Sequence, residues 1–303
     1  MELFDERIPV FLREELQRRY SEDVCRRVAE GYGADRLSSF RVNKLKGDVQ
    51  AVRTGLEDLG IEYRNPDWAE DAFILSEKDE VIIRKSQMYE NGEIYMQNLS
   101  SMLPPRIVSI PDGIDILDMC AAPGGKTTEI MSLTGGKVNV TACEKDKIRA
   151  DRLRYNLQKQ GCRGVNLLNC DARKLDSFLR FDMIFLDAPC SGSGTVLSDR
   201  PETYKAFSEK LVNNSSKLQY QLLSKGLSLL KSAGTLIYST CSILPQENEE
   251  VVLRAIEGKR FKLMSCSEAL RSIPSIPCSI SEAIQVCPTD EYEGFFCVAI
   301  VKE

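Results

Sequence analysis

The 303-residue chain contains no histidine. That absence excludes Ser-His-Asp triads, Cys-His pairs and histidine-ligated metal centres. No apolar run approaches the roughly 20 residues that a membrane span needs, and the mixed, charged stretch from Met1 to Arg19 does not read as a secretory signal. There is no Cys-x-x-Cys pair, and the eleven cysteines are odd in number and irregularly spaced. Neither a structural zinc site nor a disulfide framework is therefore expected, and no metal of any kind. Without an export signal a reducing, cytoplasmic setting is expected, in which the thiols stay free. Any chemistry must come from Cys, Asp, Glu, Lys and backbone groups.

What is present is ordinary for a soluble globular protein: 43% hydrophobic and 28% charged residues. The net charge of −5 argues against indiscriminate binding to nucleic acid. Its distribution is uneven, however. Residues 1–100 hold 15 basic and 21 acidic side chains, whereas residues 101–200 hold 14 basic and 12 acidic ones, which leaves room for a local basic groove.

Two units are expected. Over residues 1–90, helical spacing from 4 to 32 stops at Gly31-Tyr-Gly33. A strand at Ser38–Asn43, a helix at Asp48–Leu59 begun by an aspartate cap, and strands at Ile61–Arg64, Ala72–Leu75 and Glu80–Arg84 follow. This predicts a small α+β module behind two helices, with Arg41, Lys44 and Lys46 at its first strand and just after it. Over residues 91–303, short apolar runs without strict alternation (Asp115–Cys120, Val138–Cys143, Val165–Leu168, Met183–Leu186, Thr235–Tyr238) alternate with helical stretches. The helices are expected at Lys126–Leu133, Asp146–Gln160, Ala206–Leu230 and Glu247–Ile256. The fold class is α/β: a doubly wound, mostly parallel, Rossmann-like sheet. Ile284–Cys287 and Phe295–Val301 should close it as an antiparallel hairpin at one edge. Such sheets bind ligands beyond the carboxyl ends of their strands.

Three motifs fall at those ends. The first is the turn Asp118-Met-Cys-Ala-Ala-Pro-Gly-Gly-Lys126, whose glycines let backbone amides approach a ligand at a helix start. A P-loop would match Gly125-Lys126-Thr127, but Cys120 stands where its first glycine belongs. A dinucleotide fingerprint is absent. The third reading is an S-adenosylmethionine site, with Glu144 after the next strand meeting ribose hydroxyls and Asp171 after the third meeting the adenine amino group. Either acid can equally be a plain helix cap. The other two motifs are Asp187-Ala-Pro-Cys190 and Ser239-Thr-Cys241-Ser242. A lone cysteine is usually a small core hydrophobe, the reading given to Cys143, Cys162, Cys170, Cys266, Cys278, Cys287 and Cys297. Cys190 and Cys241 differ because each sits in a polar turn at the functional edge.

Together these residues resemble the RsmB/Sun-type RNA cytosine-5 methyltransferases. The likeness runs from Phe40-Arg-Val-Asn43 and Gln97-Asn-Leu-Ser-Ser101 through Ala121-Ala-Pro-Gly-Gly-Lys126, Asp187-Ala-Pro-Cys-Ser-Gly192 and Tyr238-Ser-Thr-Cys-Ser242 to Gly294-Phe-Phe296. It implies that Cys241 attacks C6 of a cytosine in transfer or ribosomal RNA, and that Cys190 assists breakdown of the adduct. Asp187 would contact the N3/N4 edge of the base, and Lys126 would lie near base and cofactor. Cys120, Ala121, Ala122, Pro123, Gly124, Gly125, Lys126, Glu144, Asp171 and Asp187 would line the adenosylmethionine pocket. The first unit would then be an RRM-like module in which Arg41, Lys44 and Lys46 grip RNA backbone, with a charged surface on a small structural domain as the equal alternative, and a monomer is expected. The alternatives are a P-loop-like NTPase and a catalytically silent RNA-binding protein, although the latter would not need both cysteines. The basic or histidine residues that often precede the final hairpin in this family are replaced by Gln285-Val-Cys-Pro288.

Overall fold

The computed structural model describes residues 3–303. The chain opens with α1 (Val10–Arg19) and α2 (Glu22–Tyr32), the second capped by Ser21, whose hydroxyl accepts the Val24 amide. β1 (Ser38–Val42), α3 (Val49–Asp58), β2 (Ala72–Leu75), α4 (Glu77–Ile83), α5 (Gln87–Glu90) and β3 (Ile94–Met96) follow. The large sheet then takes β4 (Asp115–Asp118), β5 (Asn139–Cys143), β6 (Asn166–Leu168), β7 (Phe181–Asp187), β8 (Leu230–Thr240), β9 (Phe261–Met264), β10 (Ile284–Val286) and β11 (Phe295–Lys302). Its helices are α6 (Gly125–Leu133), α7 (Lys147–Lys159), α8 (Glu209–Leu229) and α9 (Glu249–Ile256).

The strand order is β10-β11-β8-β7-β4-β5-β6, with β9 also pairing β11. β8, β7, β4, β5 and β6 run parallel to one another, and β11 runs antiparallel to β8, β9 and β10. This is the doubly wound α/β sheet expected, with its antiparallel closing hairpin. Two apolar cores cover its faces. One packs Leu222, Leu223 and Leu227 of α8 and Val251 and Val252 of α9 against Leu117, Ile184 and Leu236. The other sets Ile130 and Met131 of α6 against Ile116, Phe185 and Ile237.

The small sheet is antiparallel, in the order β2-β1-β3. Its third strand comes from beyond residue 90. Phe40 and Phe73 stack at its centre with ring centroids 5.1 Å apart, in a core shared with Val52, Leu56 and Ile94. Such a ring pair adds about 0.5–1.5 kcal/mol beyond area burial.

Three expectations for the first unit are corrected. Glu80–Arg84 is not a strand but falls largely within α4: the Ser76 hydroxyl accepts the Asp79 amide, and Glu77, Asp79 and Glu80 favour the positive end of that helix. Ile61–Arg64 makes only an isolated bridge, Arg64 to Ile74. Arg41 cannot grip RNA. It is fully buried, as is all of β1, so this strand offers no open face on which bases could stack. Lys44 pairs with Asp71 at 3.3 Å, and the Lys46 ammonium donates to the Asn91 carbonyl at 2.9 Å.

α1 and α2 do not pack with the small sheet. Leu12, Leu16, Val28 and Tyr32 share a core with Val196, Tyr204, Ile243 and Leu244, which belong to the segments just after the two cysteine motifs. The helices thus buttress the functional edge of the large sheet.

Candidate active site

The glycine turn leaves β4 and is held by its neighbours. The Met119 amide donates to the Phe185 carbonyl and the Ala121 amide to the Cys143 carbonyl, both at 2.9 Å. From α7, Arg149 donates to the Ala122 carbonyl at 2.8 Å and Asn156 to the Pro123 carbonyl at 2.7 Å. Gly124 has φ +116°, in the left-handed region, and a Cβ there would lie 3.1 Å from Leu153 Cδ1. The left-handed backbone calls for glycine, and a Cβ would in addition push the Leu153 side chain aside. The turn then opens α6, whose first residues carry Lys126.

Beneath the turn, the Asp118 carboxylate is almost fully buried. It accepts the Thr127 hydroxyl at 2.6 Å and the Cys120 amide at 3.4 Å. Burial raises its pKa from 3.8 to about 6. A carboxyl with a higher pKa folded than unfolded favours the folded state while protonated, and that advantage is lost as the pH rises through about 6. Asp118→Asn should therefore melt higher than wild type near pH 7.5, by up to about 3 kcal/mol, and melt alike near pH 4. An equal difference at both pH values would contradict this origin.

A cavity lies beyond the strand ends, bounded by Cys120, Ala122, Glu144, Asp171, Asp187, Cys190 and Cys241 among others. Glu144 follows β5. It accepts the Asp146 amide at 2.9 Å and stands 3.6 Å from Arg149. Asp171 accepts the Arg173 amide at 3.0 Å and pairs with its guanidinium at 2.6 Å. Asp171 thus caps the short turn that follows it, whereas α7 is capped by Asp146 and not by Glu144; both acids face the cavity.

The two cysteine motifs meet because β7 and β8 are parallel neighbours with Asp187 in register with Ser239. The Ala188 amide donates to the Ser239 carbonyl at 2.8 Å, and the sulfurs of Cys190 and Cys241 come to 2.9 Å. Gly194 donates to the Cys241 carbonyl at 3.0 Å and accepts the Gly294 amide at 2.8 Å. A Cβ on Gly194 would sit 1.9 Å from the Gly294 carbonyl oxygen, so this crossing of backbones admits only glycine. Under both cysteines lies Glu247. Its carboxylate accepts the Ser191 amide at 2.8 Å and hydroxyl at 2.5 Å, the Ser242 hydroxyl at 2.7 Å and the Gln219 amide group at 3.2 Å. One buried side chain thereby ties the two loops together.

Asp187 anchors the polar end of the site. Its carboxylate binds the Lys126 ammonium at 2.5 Å and the Ser239 hydroxyl at 2.8 Å. Burial alone would lower the Lys126 pKa, but Asp187, and then Cys241, outweigh it and raise it, so the lysine is a cation. It lies 5.7 Å from the Phe295 ring centroid. Two thiols this close do not both ionise. The hydrogen bond with Cys241, reinforced by burial, pushes the Cys190 thiol well up, which favours its protonated form.

Of the residues singled out from the sequence, Cys120, Ala122, Glu144, Asp171, Asp187, Cys190 and Cys241 line this one cavity. Lys126 joins them through Asp187. Ala121, Pro123, Gly124 and Gly125 are outside its wall; Ala121 packs on Ala142 and Leu153. Sequence reasoning missed Lys145, Arg149 and Arg173, which face the cavity from the segments behind Glu144 and Asp171, and Leu218 and Leu222 of α8. It also missed Glu247. A charged residue in Pro245-Gln-Glu-Asn248 looks like solvated surface, and only the fold reveals it as buried.

Residues 107–301 match the family described as 16S rRNA methyltransferase RsmB/F. The chain is 34% identical over 276 residues to the ribosomal RNA small subunit methyltransferase F of Shewanella loihica, covering 87% of this chain and 56% of that protein. It is 32% identical over 274 residues to the protein of the same name from Aeromonas salmonicida, covering 87% and 57%. The chain thus spans little more than half the length of these relatives. Among solved structures, a methyltransferase homolog protein from Pyrococcus horikoshii superposes with TM-score 0.80 at 30% identity, covering 98% of this chain and 100% of that one. NSun6 from Pyrococcus horikoshii with SFG superposes with TM-score 0.86 at 21% identity, covering 98% and 99%, a likeness of fold. With these likenesses the nucleotide-hydrolase alternative falls away: the chain belongs to the RsmB/F family of S-adenosylmethionine-dependent methyltransferases.

Proposed function

We propose that this protein methylates C5 of a cytosine in RNA through a covalent adduct with Cys241, and that the RNA is ribosomal, as the names of its relatives suggest. The observation that carries the reading is the meeting of Cys190, Cys241 and Asp187 in the wall of one cavity that also holds Glu144 and Asp171, with Lys126 bound to Asp187. That cavity suits S-adenosylmethionine. Its two carboxylates accept hydrogen bonds from hydroxyl and amino groups, and Met119, Leu218 and Leu222 offer apolar wall for a ring system. Cys120, Ala122, Glu144, Asp171 and Asp187 would hold it, the glycine turn shaping one side. When bound, it supplies an electrophilic methyl group.

The chain's own residues do the rest. C5 of cytosine is too weak a nucleophile unaided. Addition of the Cys241 thiolate at C6 makes the ring an enamine whose C5 carries the electron density. A free thiol, with pKa about 8.5, is mostly protonated at neutral pH. With no histidine available, the Lys126 cation and the retention of a proton on Cys190 favour the Cys241 thiolate. The Asp187–Lys126 pair, set at the base's N3/N4 edge, stabilises the charge that develops on the ring. As C5 takes the methyl carbon, that carbon's bond to the donor sulfur breaks; the C5 proton then passes to solvent, the C6–S bond breaks to re-form the aromatic ring, and the Cys190 thiol donates its proton to the departing Cys241 sulfur. The target base must leave any stack to reach this pocket. The test is incubation of the purified protein with in vitro transcribed 16S rRNA and methyl-labelled S-adenosylmethionine, then bisulfite sequencing. Label recovered as 5-methylcytosine is expected; label on another atom, or none, would refute the reading.

A further inference from the structure

Arg41, Lys44 and Lys46 are engaged by partners within the protein, which leaves an RNA chain to be held elsewhere. Positive charge concentrates at residues 145–163, which hold seven basic and two acidic side chains in a chain whose net charge is −5. Arg149 pairs with Glu144, and Arg154 with Asp151. Lys145, Lys147, Arg152 and Arg163 are exposed and form no ion pair among the described residues.

Most of this charge sits on α7, whose 13 residues span about 20 Å. Ala150, Leu153 and Leu157 are its buried face. The opposite face, at spacings of three and four, carries Ile148, Arg152, Tyr155 and Lys159. An amphipathic helix keeps polar residues on that side, yet Ile148 is 75% and Tyr155 60% exposed. The Tyr155 ring has no aromatic or cationic neighbour, and its hydroxyl no hydrogen bond, among the described residues. At the start of the helix, Lys145 and Arg149 line the cavity that also holds Cys190 and Cys241. At its end, the Lys159 ammonium lies 3.8 Å from the centroid of the Tyr89 ring in α5. The face therefore runs from the mouth of the site to the first unit.

We propose that the outer face of α7 is a docking strip for single-stranded RNA flanking the target cytosine. Lys147, Arg152 and Arg163 take its phosphates, and Tyr155 stacks on an unpaired base. The proposal rests on the RNA-methylating reading above and deepens it. Cations interleaved with an exposed aromatic ring are what a flexible polyanion with flat bases requires. A duplex would satisfy the cations but offer the ring no base face. An acidic protein would satisfy them too, but would leave unexplained why the strip begins in the wall of the catalytic cavity. Because phosphates and base faces are common to all sequences, the strip supplies affinity and positioning rather than sequence preference.

The experiment is fluorescence anisotropy of an end-labelled single-stranded RNA carrying one cytosine, titrated with full-length protein over a range of salt. Lys147→Gln, Arg152→Gln and Arg163→Gln combined should weaken binding roughly tenfold or more. The slope of log K against log salt should fall by about 2, at about 0.7 per lost phosphate contact. Tyr155→Ala should weaken binding about tenfold with the slope unchanged, as for loss of one stacked base. In both variants KM for RNA should rise while kcat, Tm and affinity for S-adenosylmethionine stay at wild-type values, because these side chains are exposed and outside the cavity wall. Wild-type affinity and slope in the triple variant would overturn the strip. So would displacement of the RNA by polyglutamate at equal charge, which would mark the face as one for acidic protein. Binding does not depend on turnover: RNA held through this face without formation of 5-methylcytosine would fail the catalytic reading and leave the strip standing.

Discussion

Cys241→Ala will form neither 5-methylcytosine nor any covalent complex, whereas Cys190→Ala will accumulate protein bound to RNA. The two thiols touch at 2.9 Å, yet their surroundings differ. Cys190 is held protonated by its bond to Cys241 and by burial, while Cys241 is near enough to Lys126 to contribute to that lysine's raised pKa. Removing the nucleophile eliminates the adduct, and the alternative of direct attack by C5 is slower by many orders of magnitude. Removing Cys190 leaves addition possible but takes away the group placed to assist the leaving sulfur. Denaturing gel electrophoresis with labelled RNA and unlabelled S-adenosylmethionine reads both outcomes in one lane each. A retarded band with Cys241→Ala and none with Cys190→Ala would exchange the two roles.

The second large effect is on folding. Arg41→Ala should destabilise the protein by about 3–5 kcal/mol, the usual cost of breaking a buried charge pair from one side. Arg41 is fully buried. It donates to Gln97 Oε1 at 2.9 Å, the Gly125 carbonyl at 3.0 Å and the Thr128 hydroxyl at 2.7 Å, and lies 3.8 Å from Glu129. Glu129 is equally buried and is shared with Arg106, which in turn holds Asp71. Burial raises the Glu129 pKa despite both arginines, so losing one leaves a strained carboxylate. Arg41→Lys should be nearly as harmful, because one ammonium cannot reach acceptors spread over a planar fork. Chemical denaturation measures both. A loss below about 1 kcal/mol would mean that Arg106 alone neutralises Glu129. Because Arg41 binds the Gly125 carbonyl, any folded variant should also bind S-adenosylmethionine less well.

How much of this was legible in the sequence depends on how local each signal is. The parallel strands were found because doubly buried strands read as short apolar runs, and the glycine turn because Gly124 needs a left-handed backbone. The cysteines could be placed at strand ends, but their contact depends on the β7–β8 register, which no local pattern encodes. Arg41 was misread for a related reason: a basic residue beside a strand looks solvent-facing until its partners, 56 to 87 positions away, are known. β3 and β9, of three and four residues, are not anticipated from the sequence. Glu80–Arg84 reads as a strand because Val81-Ile-Ile83 is β-branched, but the Ser76 cap and the acidic first turn make most of it the end of α4.

The crossing of Gly194 over Gly294 has a consequence for how the enzyme comes into being. The Cys241 main chain is held by Gly194, which is itself held by a residue exactly one hundred positions further on, nearly at the last strand. Loop closures of that span are the slow ones in folding. A chain cut before this glycine would carry both thiols without the scaffold that pairs them, so their mutual placement waits until residue 294 has been added and seated.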